Sequence, residues 1–220
     1  MEWLTFLLNL FLHLDQYLAD VISQYGGWTY GILFFVIFME TGFVVTPFLP
    51  GDSLLFAAGT FAAIGSLNVY FVAFLLMGAA ILGDTVNYWI GHYLGDRAYQ
   101  IKWIKREYLD KTHAFFEKHG GKTIFLARFV PIVRTFAPFV AGIGHMSYAY
   151  FITYNFVGGI TWVALFTFAG YFFGNIPFIK HNFEFVIIAI ILISVVPIFV
   201  EWWKARREAK SAGAINAETP

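Results

Sequence analysis

Polar residues recur at helical spacing along the first stretch of the chain. Between Trp3 and Gln24 they fall at Thr5, Asn9, His13, Gln16, Asp20 and Gln24, with gaps of 4, 4, 3, 4 and 4. On a background of Leu and Phe, that stripe predicts an amphipathic helix over residues 1–25, lying in a membrane interface with its polar edge to water. The alternative is a first span whose few polar residues face its neighbours. Gly26 and Gly27 end the pattern. Long apolar runs follow at Thr29 to about Val45, Val69 to Leu94, Tyr148 to Phe173 and Phe183 to Trp203. Each approaches the ~20 residues that cross ~30 Å of hydrocarbon. About four transmembrane helices are therefore expected, the last within 176–204.

Two further apolar stretches have the wrong punctuation for a span. Residues 43–66 carry Pro47, Pro50, Gly51 and Asp52, and residues 123–146 carry Pro131, Pro138 and two arginines. Prolines remove backbone hydrogen bonds inside a helix. Split at these breaks, each stretch gives limbs of ~10 residues, or ~15 Å, half a bilayer. Each thus reads as a re-entrant hairpin, buried in protein or lining a wet cavity because lipid cannot satisfy its broken backbone. The two halves also resemble each other. PGDSLLFAAG (50–59) parallels PIVRTFAPFVAG (131–142), and GHYLGD (91–96) parallels GYFFGN (170–175). A hairpin plus one crossing per unit makes the second copy inverted, an arrangement found in transporters. The expected fold is an all-α integral membrane protein: a core over 26–175 built on this inverted repeat, interfacial helices, and a tail at 205–220.

Composition agrees: 59% of the 220 residues are hydrophobic, 13% are charged, and the mean hydropathy is +0.68. Soluble domains carry about 25% charged residues. The formal net charge is zero, which points to no nucleic-acid partner. Charge placement is more informative. No Lys or Arg precedes Arg97, seven lie between Arg97 and Lys122, and four lie at Lys204, Arg206, Arg207 and Lys210. Basic loops stay in the cytoplasm, so the 97–122 segment and the tail are expected inside. The first hairpin then enters from outside and the second from inside. With Trp103, Phe115 and Phe116, the 97–122 segment reads as an amphipathic surface helix suited to anionic head groups. There are no cysteines, which excludes disulfides and thiolate chemistry. The N-terminus has no basic region and cleavage site of a signal peptide.

Glu40, Asp52, Asp84, Arg128 and Arg134 fall in segments otherwise fit for hydrocarbon. Each would cost about 2.5–3.5 kcal/mol at the bilayer centre on insertion scales. Five together point to a polar functional cavity; the plainer reading is a set of static ion pairs pinning hairpins to spans. Arginine stays charged and offers planar paired donors to phosphate. Arg128 and Arg134, six apart across Pro131, are thus candidates to clamp one anionic head group. Glu40 and Asp52 can take up and release protons, which would let protonation control whether the arginines are free. Asp84 and Asn87 share a helix face and either extend the cavity or bond between helices. Gly51 and Ser53 serve the turn, with Ser53 a further cavity candidate. His92, His113, His119 and His145 lie near membrane boundaries or in the basic loop, and none has metal-ligand spacing with a carboxylate. No phosphate-loop, nucleophile-elbow or zinc-protease motif occurs, so neither cofactor, metal nor enzymatic chemistry is expected. Gly78, Gly83 and the Gly158–Gly159 pair permit close helix packing, within the chain or in a homo-oligomer.

METGFVVTPFLPGDSLLFAAG, followed by KHGGKTIFLARFVPIVRTFAPFVAGIGHMSY, resembles the paired signature of the DedA family, part of the wider VTT-domain group. The resemblance covers residues 26 to 175 or so. It implies a bacterial inner-membrane protein with two opposed re-entrant hairpins, related to eukaryotic phospholipid scramblases. Some members return undecaprenyl phosphate to the cytoplasmic leaflet, and members have been linked to the proton-motive force and envelope integrity. The family's functional acids correspond to Glu40 and Asp52, its arginines to Arg128 and Arg134. The leading expectation is therefore a proton-coupled translocase for an anionic lipid carrier, with membrane lipid and protons as partners. A small-solute or cation antiporter using the same acids is the second. A polyprenyl-diphosphate phosphatase with Ser53 as nucleophile is the third, weakened by the absence of a histidine placed as base.

Overall fold

A computed structural model describes residues 14–43, 51–95 and 120–174, with short pieces at 176–177, 185–186 and 189. The described residues are helical throughout, joined by turns. Helix α1 is Leu14–Tyr25, the second half of the polar stripe. Gly26, at φ +50°, turns the chain into α2, Trp28–Gly42. Helix α3 is Gly51–Ala63, α4 is Val69–Leu94, α5 is Thr123–Ala127, α6 is Pro131–Ile143 and α7 is Tyr148–Phe173.

Helices α4 and α7 are each 26 residues, about 39 Å at ~1.5 Å per residue, and both are long and apolar enough to cross a bilayer. Asn68 starts α4 by accepting the Phe71 N–H at 3.0 Å, which satisfies one of the free donors of a first turn. Asp84 and Asn87 leave α4 unbroken. Helix α2 is shorter than the apolar run suggests. It has 15 residues and ends at Gly42, after which Phe43 is extended. Residues 44–50 of the first expected hairpin, with Pro47 and Pro50, lie outside the described residues, as do residues 1–13 of the expected interfacial helix, most of the fourth expected span, the basic 97–119 segment and the tail.

The segment expected as the second hairpin, 123–146, holds two helices of unequal length. A five-residue helix, α5, is followed by a turn over Arg128–Val130 and then by the 13-residue α6. Pro131 heads α6, where a missing N–H costs nothing. Pro138, expected as a break, instead lies inside α6. A membrane helix tolerates one lost bond where neighbouring groups re-satisfy the freed carbonyl, and α6 is packed along α4.

Packing crosses between the two halves of the chain. Helix α3 lies on α7, and α6 lies on α4. Both contacts use glycine to bring backbones together. A side chain on Gly59 would strike the Thr167 carbonyl, and one on Gly170 the Phe56 carbonyl. Equally, a side chain on Gly142 would strike the Tyr88 carbonyl, and one on Gly91 the Phe139 carbonyl. FAAG (56–59) meets Gly170 as FVAG (139–142) meets Gly91, so the two sequence parallels are also parallels of contact. The apolar core gathers round Leu33, Ile37, Leu55, Leu76 and Trp162, with a second cluster round Tyr88, Ile124 and Phe151. Phe35, Phe74, Leu82, Phe156, Leu165 and Phe172 face outward with more than half their surface exposed. Glu40, Asp84, Asn87, Arg128, Arg134 and Asn155 are buried.

Candidate functional site

The five charged residues meet in the interior as two linked groups. The first forms where α2 ends and α3 and α6 begin. Glu40, in the last turn of α2, accepts the Gly51 N–H at 3.3 Å and an Arg134 Nη2 donor at 2.5 Å. Its carboxylate thereby caps the first turn of α3, where free backbone donors favour negative charge. Arg134 Nη1 donates to Asp52 Oδ1 at 2.7 Å. Gly51 is required by contact, because a side chain there would enter the Glu40 carboxylate.

The second group surrounds Arg128 in the turn between α5 and α6. Its Nη2 donates to Asp84 Oδ2 at 2.6 Å and to Asn155 Oδ1 at 2.5 Å. Asn155 is fixed in turn by donating to the Ile81 carbonyl at 3.0 Å. Side chains at Gly158 would meet Arg128 Cδ and Nε at 3.0 Å, so the glycine pair seats this arginine. Gly83 packs against Thr41 and Gly42 of α2, again within the chain.

Trp162 joins the two groups. Its Nε1 donates to Asp52 Oδ1 at 2.8 Å. The Arg134 Cζ sits 5.0 Å from the ring centroid and the Arg128 Cζ 6.0 Å, both in the range of cation–π attraction. Glu40, Asp84, Arg128, Arg134 and Trp162 are all buried, whereas the Asp52 side chain keeps 15% of its exposure. Asp52 is thus the most exposed of the five charged side chains. Among the described residues, Arg128 Nε and Nη1 and Arg134 Nε are buried donors with no hydrogen-bond partner.

The arginines do not converge on one point through shared partners. Arg134 is held by Glu40 and Asp52, Arg128 by Asp84 and Asn155. Asp84 belongs to the ion pairs themselves. Asn87 stands apart, with Nδ2 donating to the Thr41 carbonyl at 3.2 Å and the Thr135 carbonyl at 2.8 Å, which ties α2 to α6 across α4. Ser53 is buried, and its Oγ has no hydrogen-bond partner among the described residues. His92 and His145 meet edge to face at 4.9 Å between ring centroids. No group of three potential metal ligands occurs among the described residues.

The apolar pattern and the charges do not single out Asn155 and Trp162, although the sequence carries a signal for both. Asn155, Gly158, Gly159 and Trp162 repeat at helical spacing on one face of α7. Tryptophan favours membrane interfaces, yet Trp162 lies midway along the 26-residue α7.

The VTT-domain family model matches residues 49–172. Protein DedA of Escherichia coli K12 is 54% identical over 217 residues, spanning 96% of this chain and 99% of that protein. The membrane protein Rv0364 of Mycobacterium tuberculosis H37Rv is 42% identical, over 81% and 82% of the two chains. The inner membrane protein YqjA of E. coli K12 is 36% identical, over 71% and 73%. No solved structure gives a significant match. The chain belongs to the VTT-domain, or DedA, family.

Proposed function

We propose that this chain is an inner-membrane translocase for an anionic lipid carrier, a polyprenyl phosphate, coupled to protons. The observation that carries the reading is the charge balance of the buried interior: three carboxylates, Glu40, Asp52 and Asp84, against two guanidinium groups, Arg128 and Arg134. An anion added to that set with all acids ionised would meet net repulsion in a poorly screened interior. Protons taken up by Glu40 or Asp52 would release guanidinium donors as they discharged the acids. Phosphate oxygens suit the donors that the carboxylates then leave, together with the unpartnered Arg128 Nε and Nη1 and Arg134 Nε. Helices α3 and α6 both start beside this cluster, adding backbone dipoles favourable to an anion.

The matched glycine contacts support an inverted pair of units, each a re-entrant hairpin followed by a span, here α3 with α4 and α6 with α7. Four spans with a cytoplasmic C-terminus complete the proposed topology. Large apolar side chains turned outward suit a hydrocarbon surround, and the names of DedA-family relatives as membrane proteins agree.

Proton coupling is tested by movement of polyprenyl phosphate in proteoliposomes across a pH series. Glu40→Gln and Asp52→Asn should slow movement and flatten its pH dependence. Unchanged rates and profiles in both variants would contradict the proton role. One observation favours a small-solute or cation antiporter instead: both arginines are engaged by acids, as static counter-ions would be. That reading predicts proton-driven solute flux with no lipid movement. A phosphatase would lose activity in Ser53→Ala, which a translocase should tolerate.

A further inference from the structure

Trp162 carries a combination of contacts that packing alone does not require. Its ring is fully buried, two guanidinium groups lie within cation–π range, and its only polar atom is spent on Asp52. The acceptor is the same oxygen, Oδ1, that takes Arg134 Nη1. Resting on the anionic-lipid reading, we propose that Trp162 is a positioning residue of the head-group site. Its indole face seats the Arg134 guanidinium, and its N–H holds Asp52 when that arginine turns from the acid to an anion.

With Glu40 and Asp52 in place, Arg134 has two carboxylates to fix it. When an anion takes one of these donors, Asp52 loses a charge-assisted bond in a mostly buried setting, where an unsatisfied polar group is costly. The indole N–H, which already donates to that same oxygen, stays with it as a donor. Likewise the ring keeps the guanidinium plane oriented while its acidic partners are released, and tryptophan binds cations on its face best of the aromatic side chains. Trp162 therefore contributes more to the anion-bound arrangement than to the resting one. It touches Asp52, Arg134 and Arg128 and acts through them.

The test is equilibrium binding of farnesyl phosphate to the full-length protein in nanodiscs, with thermal unfolding followed in parallel. Trp162→Phe removes the N–H and weakens the cation–π face, and should weaken binding about tenfold, which corresponds to ~1.4 kcal/mol. A benzothiophene analogue of Trp at 162 keeps the ring size and deletes only the N–H, which guards against a variant that fails through a cavity. The analogue should weaken binding about threefold in the otherwise native protein and leave it unchanged beside Asp52→Ala, because interacting groups are non-additive. Native affinity in both Trp162 variants overturns the proposal, as does an analogue effect that persists in full beside Asp52→Ala. A native protein that binds no farnesyl phosphate contradicts the anionic-lipid reading itself, a result separate from any Trp162 effect.

Discussion

At Gly51 the backbone runs against the Glu40 carboxylate, which is itself gripped by Arg134. A methyl group there has to push apart an ion pair, so Gly51→Ala should lower stability by about 1–3 kcal/mol, the range for overpacked cores. Denaturant unfolding in detergent micelles measures it. The Arg128 group separates structure from function. Asp84→Leu strands a buried guanidinium and should cost about 3–5 kcal/mol. Adding Arg128→Leu removes the stranded charge and should recover most of that loss, as apolar replacements of buried pairs commonly do. The double variant should nonetheless move no lipid. A double variant that transports normally would reduce the pair to a structural pin.

At the scale of elements, the two glycine crossings are the joints that bring both charged groups together. Gly59→Leu should push α3 off α7, and Gly142→Leu should push α6 off α4, since each glycine faces a backbone carbonyl of the opposing helix. Comparable falls in unfolding temperature are expected at both, and a fall at only one would argue against equivalent joints. Pro138→Ala should keep the fold, because α6 already runs through that position. Apolar run length predicts the long helices α4 and α7, and the Pro and Gly punctuation predicts helix starts at Gly51 and Pro131. Pro138 misled because proline marks the loss of one hydrogen bond, which tertiary packing can absorb. The end of α2 at Gly42 was equally hidden, since the apolar run continues through Phe43, Val44 and Val45. The charged residues stood out against hydrocarbon by cost alone. Their pairing did not, because it depends on which hairpin lies on which span. Asn155 and Trp162 belong to that same hidden level: their roles come from facing Arg128 and Asp52 across the fold.

For the whole molecule, the proposed inversion makes a directional prediction. The chain has no cysteine, so single substitutions report without background. Ser66→Cys, in the turn between α3 and α4, should react with a membrane-impermeant thiol reagent added to intact spheroplasts. Ser147→Cys, at the start of α7, should react only after permeabilisation. Labelling of both from the same side would remove the inverted arrangement, and with it the idea of a site reachable from each leaflet. In the proposed translocase, the two buried arginines carry an anionic lipid head group across the membrane. The most direct test is leaflet-resolved movement of undecaprenyl phosphate in proteoliposomes, with and without an imposed proton gradient, for the native chain, Arg128→Ala and Arg134→Ala. Gradient-stimulated movement by the native protein, lost in both variants while they remain folded, is the predicted result. No movement by folded native protein, or full movement in both variants, would contradict it.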